Sequence, residues 1–331
     1  MITIKSNSKT VYEFADLILT SKSKYISVSH RIDEWLASNV GHADEDIFRY
    51  LKQDLRKIIT SKPAALENII NDFDKKGYQA RILDAKGEKL NAIGKELKDC
   101  FRYINFRSSK KAIWLSEKLN IKSCVYCNTQ YSLTVQRKKD VKMLFHLDHF
   151  FSKELYPYLS LSFYNLIPCC ASCNMGKSDK SFKLSESIHP YIESLDEIAK
   201  YSTEPASLVK YLLDINKNEN EINLLLEIRN KHLGDKKLQD KLDNYKKHFN
   251  IEGQYEQFKD VVAETYLKSL YYNKYRRNEL VEFFKNEKGQ TLSDDMIKRF
   301  VVGNYTESND LLKRPLAKMM KDISEEFFTH F

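Results

Sequence analysis

A chain of 331 residues with 42% hydrophobic content is long enough for two or three compact units with real cores, and it is not a disordered tail. No run of about 18 apolar residues is present to span a bilayer, and the N-terminal MITIKSNSKTVYEF lacks the apolar stretch of a signal peptide, so a cytoplasmic protein with no membrane partner is expected. The net charge is +8, yet residues 101–183 hold 14 Lys/Arg against 5 Asp/Glu, leaving 40 against 41 elsewhere. An excess confined to one stretch fits a phosphate-backbone partner better than a generally solvated surface.

In chain order, residues 1–110 read as a helical region. Val11, Phe14, Ala15, Ile18 and Leu19 recur at helical spacing, and Ser29 precedes Ile32, Trp35 and Leu36. A second stripe runs from Ile47 to Ile59, and Pro63 separates it from a helix over 64–73. Gly77, Gly87 and Gly94 make 74–95 the least regular part, with a short strand or turn at Ile82 and Leu83. The aromatic stripes are most simply core. A basic helix over 108–119 follows, with Lys110, Lys111 and Lys118 either touching phosphates or facing solvent.

Residues 111–190 form the centre. Cys124/Cys127 and Cys170/Cys173 are two Cys-x-x-Cys pairs, and a two-residue spacer lets both sulfurs of a pair turn toward one tetrahedral Zn²⁺. With no export signal, thiolate ligation is favoured over disulfides, and the zinc takes a structural role. Cys169 is an alternative to Cys170 at a poorer spacing, and Cys100 reads as a buried thiol. Leu133–Gln136 and Val141–His149 alternate around the polar turn 137–140, as in a β-hairpin. His146 and Asp148 share one strand face. An ionised Asp beside a His at a strand end implies a cation partner. Asn174 and Lys177, three residues apart, share one side of the helix that starts near Cys173.

Residues 191–331 read as mostly helical. Val209, Tyr211, Leu213 and Ile215 alternate like a strand, ahead of a polar turn at 216–220, and fit a hairpin or a strand followed by a helix. Helical spacing resumes from Ile222 through Leu238, Leu242, Tyr245 and Phe249. A long aromatic-rich helix is expected over 258–284 and a last one over 316–327. Tyr266, Tyr271, Tyr272, Tyr275, Arg276 and Arg277 interleave rings with cations, either as a strand-stacking surface or as an amphipathic face packed on a core.

The order Cys-x-x-Cys, Leu147-Asp148-His149-Phe150, Tyr164-Asn165-Leu166, Cys170-x-x-Cys173-Asn174-x-x-Lys177 resembles the HNH nucleases of the ββα-metal class, over about 55 to 65 residues. The run from Asn174 to Asp179 is also similar to the HNH segment of RNA-guided CRISPR nucleases. The resemblance implies a mainly α protein with a small α+β centre, a zinc-stabilised ββα-metal module between helical flanks. It implies a metal-dependent endonuclease acting on DNA. His149 would be the general base, Asp148 and Asn174 the ligands of a Mg²⁺ or Mn²⁺ ion, and Asn165 the brace of the loop that orients His149. Lys177, Lys153 and Lys180 would meet nucleic acid. The residue types suit the chemistry independently, since an imidazole takes a proton at neutral pH and a hard cation prefers oxygen ligands.

The chain departs from the family at Phe151-Ser152-Lys153, where a Pro often follows the His-hydrophobic pair. His146 is either a further ligand or a structural residue. Ile188-His189-Pro190-Tyr191 and the segments Val302–Tyr305 and Lys313–Lys318 resemble HNH components of Septu-type anti-phage systems, which implies a partner ATPase. Gly176-Lys177-Ser178 lacks the earlier glycine of a P-loop. The competing expectation is a zinc-stabilised nucleic-acid-binding or partner-docking module without cleavage of its own.

Overall fold

The computed structural model describes residues 1–21, 25–138, 140–178, 180–287 and 289–328. Lys139 of the expected turn and Asp179 of the nuclease-like run lie outside them. The described chain is mainly helical, with three two-stranded antiparallel sheets. No helix among the described residues is long and apolar enough to cross a membrane. Two compact units emerge, one of residues 4–120 and 133–192, the other of 1–3, 121–132 and 193–331.

The first unit begins with α1 (Ser8–Leu19), whose Asn7 cap accepts from the Thr10 amide at 2.8 Å and whose inner face buries Val11, Phe14 and Ile18. In α2 (Val28–Ser38) the cap is Ser27 rather than Ser29. The stripe from Ile47 to Ile59 is split at Asp54 into α3 (Glu45–Gln53) and α4 (Leu55–Thr60). Pro63 opens α5 (Pro63–Lys75) at its first turn, where its missing N–H has no partner to lose. After α6 (Tyr78–Ile82), Leu83 pairs with Leu90 in an isolated bridge, which fits the strand or turn expected there. The chain then enters α7 (Ala92–Phe101). Gly94 is required in α7, because a Cβ would sit 2.2 Å from the Ile82 carbonyl oxygen. Next come α8 (Tyr103–Arg107) and the basic α9 (Lys110–Leu119), capped by Ser109.

The strands depart from the expected hairpin. β1 (Thr134–Gln136) pairs with β2 (Val141–Met143), and one further backbone bond, from the Leu144 amide to the Leu133 carbonyl at 2.8 Å, ends the pairing short of Asp148 and His149. The residues carrying Asp148 and His149 form a separate strand, β3 (His146–His149), which pairs with β4 (Leu166–Cys169) in the register Asp148↔Ile167 and His149↔Leu166. The reason lies at the edge of β3. The Arg107 guanidinium takes the Phe145 carbonyl and the Tyr103 hydroxyl takes the Leu147 carbonyl at 2.6 Å, so these acceptors on β3 and its approach are occupied by α8. β4 leads directly into α10 (Ala171–Lys177), giving a strand–strand–helix order.

The second unit corrects three further expectations. Residues 208–213 are helical, not extended: α11 (Leu195–Ile198) and β5 (Ala199–Thr203) are followed by α12 (Pro205–Leu213), which Pro205 initiates and which buries Ser207 and Tyr211 one turn apart. Its alternating Val209 and Leu213 lie on the exposed side. Residues after Ile222 form β6 (Leu224–Ile228), antiparallel to β5 with Tyr201 opposite Leu226, before helix returns at α13 (Lys236–Phe249). Past α14 (Ile251–Tyr255), the long helix is two, α15 (Lys259–Tyr271) and α16 (Lys274–Phe283), because Asn273 caps a new start. α17 (Asp294–Val302) and α18 (Ala317–Phe327) complete the unit. Lys318 of α18 is buried against Asp196, at 3.0 Å, and Asp322, so charge is compensated inside this core.

Candidate functional site

The sulfurs of Cys124, Cys127, Cys170 and Cys173 all lie within 4.8 Å of one another and are buried. A tetrahedral Zn²⁺ with bonds of about 2.3 Å needs sulfurs about 3.8 Å apart, so the donor set fits zinc. The local structure prepares each pair. Around the first, the Thr129 hydroxyl donates to Cys127 Sγ at 3.1 Å, and the left-handed Asn128 (φ 56°) turns the chain. The Asn128 side-chain amide donates to Ser123 Oγ and to the Leu311 carbonyl, while its oxygen accepts from the Lys318 amide. Hydroxyls of Tyr245 and Tyr255 take the Tyr126 and Cys127 carbonyls, each at 2.7 Å. In the second pair, Cys170 is the cap of α10, its sulfur accepting from the Cys173 amide at 3.5 Å. Cys169 stands outside the four-sulfur group, within β4 opposite His146. Cys100 is a buried thiol that burial pushes up to about 12.

A cleft of about 430 Å³ opens beside β3 and α10, with Asp148, His149 and Asn174 among its lining residues. His146 and Lys153 line it too. His149 is 5% exposed and its Nε2 lies 3.0 Å from the Ser160 carbonyl. A carbonyl only accepts, so Nε2 carries the proton and Nδ1 keeps a lone pair. Burial pushes this imidazole down to about 3, against the Ser160 hydrogen bond and with help from Lys153 and Lys177, so the ring is neutral at physiological pH. Tyr103 packs edge-on against it at 4.3 Å, its own hydroxyl pushed up by burial.

Asn165 is fully buried and serves the loop after β3. Its oxygen accepts from the Phe151 amide at 2.7 Å, and its NH₂ donates to the Phe151 and Leu159 carbonyls at 3.0 Å each. That loop ends near Ser160, the residue anchoring the His149 ring.

The three lysines expected to face nucleic acid separate. Lys180 is exposed and Lys153 lines the cleft, paired with Glu154 at 2.9 Å. Lys177 is instead 1% exposed. Its Nζ donates to the His149 carbonyl at 2.6 Å and lies 3.3 Å from Asp148 Oδ2, over the Phe182 ring. The resemblance implies a Lys177 that meets nucleic acid, but the carboxylate of β3 draws the ammonium inward. His146 lines the same cleft from the exposed side of β3, and burial together with Arg107 lowers its pKa.

Two cleft residues lie outside the sequence motif. Tyr103 and Arg107 come from α8, and the signal that could have found them is the aromatic–cation run Tyr-Ile-Asn-Phe-Arg. Comparison with protein-family models, with curated proteins and with solved structures finds no match for this chain.

Proposed function

We propose that the chain is a metal-dependent endonuclease of the HNH type that hydrolyses phosphodiester bonds in DNA. The observation that carries this reading is a neutral imidazole, anchored through one nitrogen, lining the same cleft as one carboxylate and one amide, with Arg107 and Lys153 on its walls. Asp148 and Asn174 would hold Mg²⁺ or Mn²⁺, whose chemistry when bound is to offset charge on the phosphate and the departing 3′-oxygen.

His149 takes the proton of the attacking water on Nδ1, while Ser160 fixes the ring's orientation and tautomer. As the O–P bond forms, the P–O3′ bond breaks and the departing 3′-oxygen takes a proton from solvent water, leaving a 5′-phosphate and a 3′-hydroxyl. Burial and the neighbouring lysines disfavour the imidazolium, so the entering phosphate, an anion, has to raise the basicity of the ring. Arg107 and Lys153 offer N–H donors to phosphate oxygens. The four thiolates would bind a structural Zn²⁺. A role in anti-phage defence beside a partner ATPase rests on the sequence resemblance alone.

The deep burial of the His149 ring favours one alternative, a zinc-stabilised nucleic-acid-binding or docking module that does not cleave on its own. Plasmid DNA with Mg²⁺ or Mn²⁺ separates the two. Cleavage should appear with the wild type and fall at least about 100-fold in His149→Ala, with zinc content unchanged at about one equivalent. A wild type that binds the plasmid but leaves it intact with every divalent cation supports the module instead.

A further inference from the structure

We infer that the cleft holds its divalent cation weakly when empty and firmly only once a phosphodiester lies beside it, because Lys177 already occupies the carboxylate on which the cation depends. This rests on the nuclease reading above and adds to it an order of loading.

Among the described residues lining the cleft, Asp148 is the only acidic one, whereas Arg107 and Lys153 are both cationic. The Asp148 carboxylate has Lys177 Nζ at 3.3 Å. That ammonium is not a mobile surface group able to step aside: it is 1% exposed, bonded to the His149 carbonyl at 2.6 Å and seated over the Phe182 ring. Glu154, the carboxylate paired with Lys153, is engaged by Lys98 at 2.7 Å as well as by Lys153 at 2.9 Å. The remaining expected ligand, Asn174, is neutral. A hard divalent cation binds through one or two carboxylates supplemented by substrate phosphate oxygens. Here the protein supplies one carboxylate, already neutralised, in a cleft whose other charges are positive. A phosphodiester supplies the missing negative charge, meets Arg107 and Lys153, and turns a repulsive field into an attractive one. Metal and nucleic acid are then coupled ligands, each tightening the other by the same factor.

The test uses the full zinc-loaded chain in a His149→Ala background, so that bound DNA stays intact. Mn²⁺ binding is followed by electron paramagnetic resonance, alone, with a short phosphodiester duplex, and with a duplex whose backbone is uncharged methylphosphonate. The phosphodiester duplex should tighten Mn²⁺ at least about tenfold and the methylphosphonate duplex should not. Adding Lys177→Met should tighten Mn²⁺ about tenfold without DNA and shrink the response to DNA, while Lys177→Arg should behave as the parent. Equal Mn²⁺ affinity with and without a duplex that demonstrably binds overturns the inference and leaves the nuclease reading standing. No duplex binding even at low salt removes both. Should Lys177→Met fail to fold, the comparison of the two duplexes still decides.

Discussion

Asn165 shows how much one amide can hold. Its three bonds satisfy the Phe151 amide, the Phe151 carbonyl and the Leu159 carbonyl in a fully buried position. Asn165→Ala strands all three and should cost about 2–4 kcal/mol, read as a lower urea midpoint. Asn165→Asp is nearly the same shape but sets an anion against two carbonyls. It should be as damaging at pH 7 and should recover part of its stability when acid restores a donor. His149 contributes the opposite pH dependence. Its folded pKa is pushed down to about 3, below an unfolded value of about 6.5. Below about 6.5 the unfolded chain takes up a proton that the folded one refuses, so stability is full above that pH and is lost as pH falls toward about 3. Urea midpoints measured between pH 7.5 and pH 5 should drop more steeply for wild type than for His149→Gln.

At the level of elements, the features legible in the sequence are those decided locally. Two Cys-x-x-Cys spacers and Pro63 beside a helix start need only neighbouring residues to act. The partner of β3 was not legible, because it depends on Arg107 and Tyr103 reaching carbonyls some 40 residues away in sequence. Lys177 was misplaced for the same kind of reason. Its inward turn is set by a carboxylate on another element, and helical phase alone cannot rank that against solvent. Likewise the alternation of 209–215 yielded to Pro205, which fixes a helical first turn. Helix α10 allows capping and metal binding to be separated. Cys170→Ser keeps a good cap but loses a thiolate, whereas Cys170→Ala loses both. Zinc content should fall in both, and thermal stability of the zinc-free forms should be higher for Ser by about 1 kcal/mol.

On the scale of the whole molecule, charge is segregated rather than abundant. The excess of 14 Lys/Arg over 5 Asp/Glu in residues 101–183 coincides with the stretch carrying β3, β4 and α10, while the rest of the chain is nearly neutral. Binding to duplex DNA should therefore weaken steeply with salt. In a plot of log affinity against log salt, Lys153→Ala and Lys180→Ala should each lower the slope by about 1. Lys177→Met should leave the slope unchanged, since its ammonium is committed to Asp148 inside the protein. A slope that fell with Lys177→Met would place that side chain on the phosphates after all.

The sulfur of Cys170 caps the helix that carries Asn174 one turn later. A thiolate committed to zinc could not swing away from that cap, so a bound ion would also set the rotational phase at which Asn174 meets the cleft. On the proposed reading, a chain made without zinc would reach full length with its Cys170 cap unfixed and its Asn174 amide unregistered, and Mg²⁺ added afterwards would not repair it, so zinc supply during synthesis would be the checkpoint.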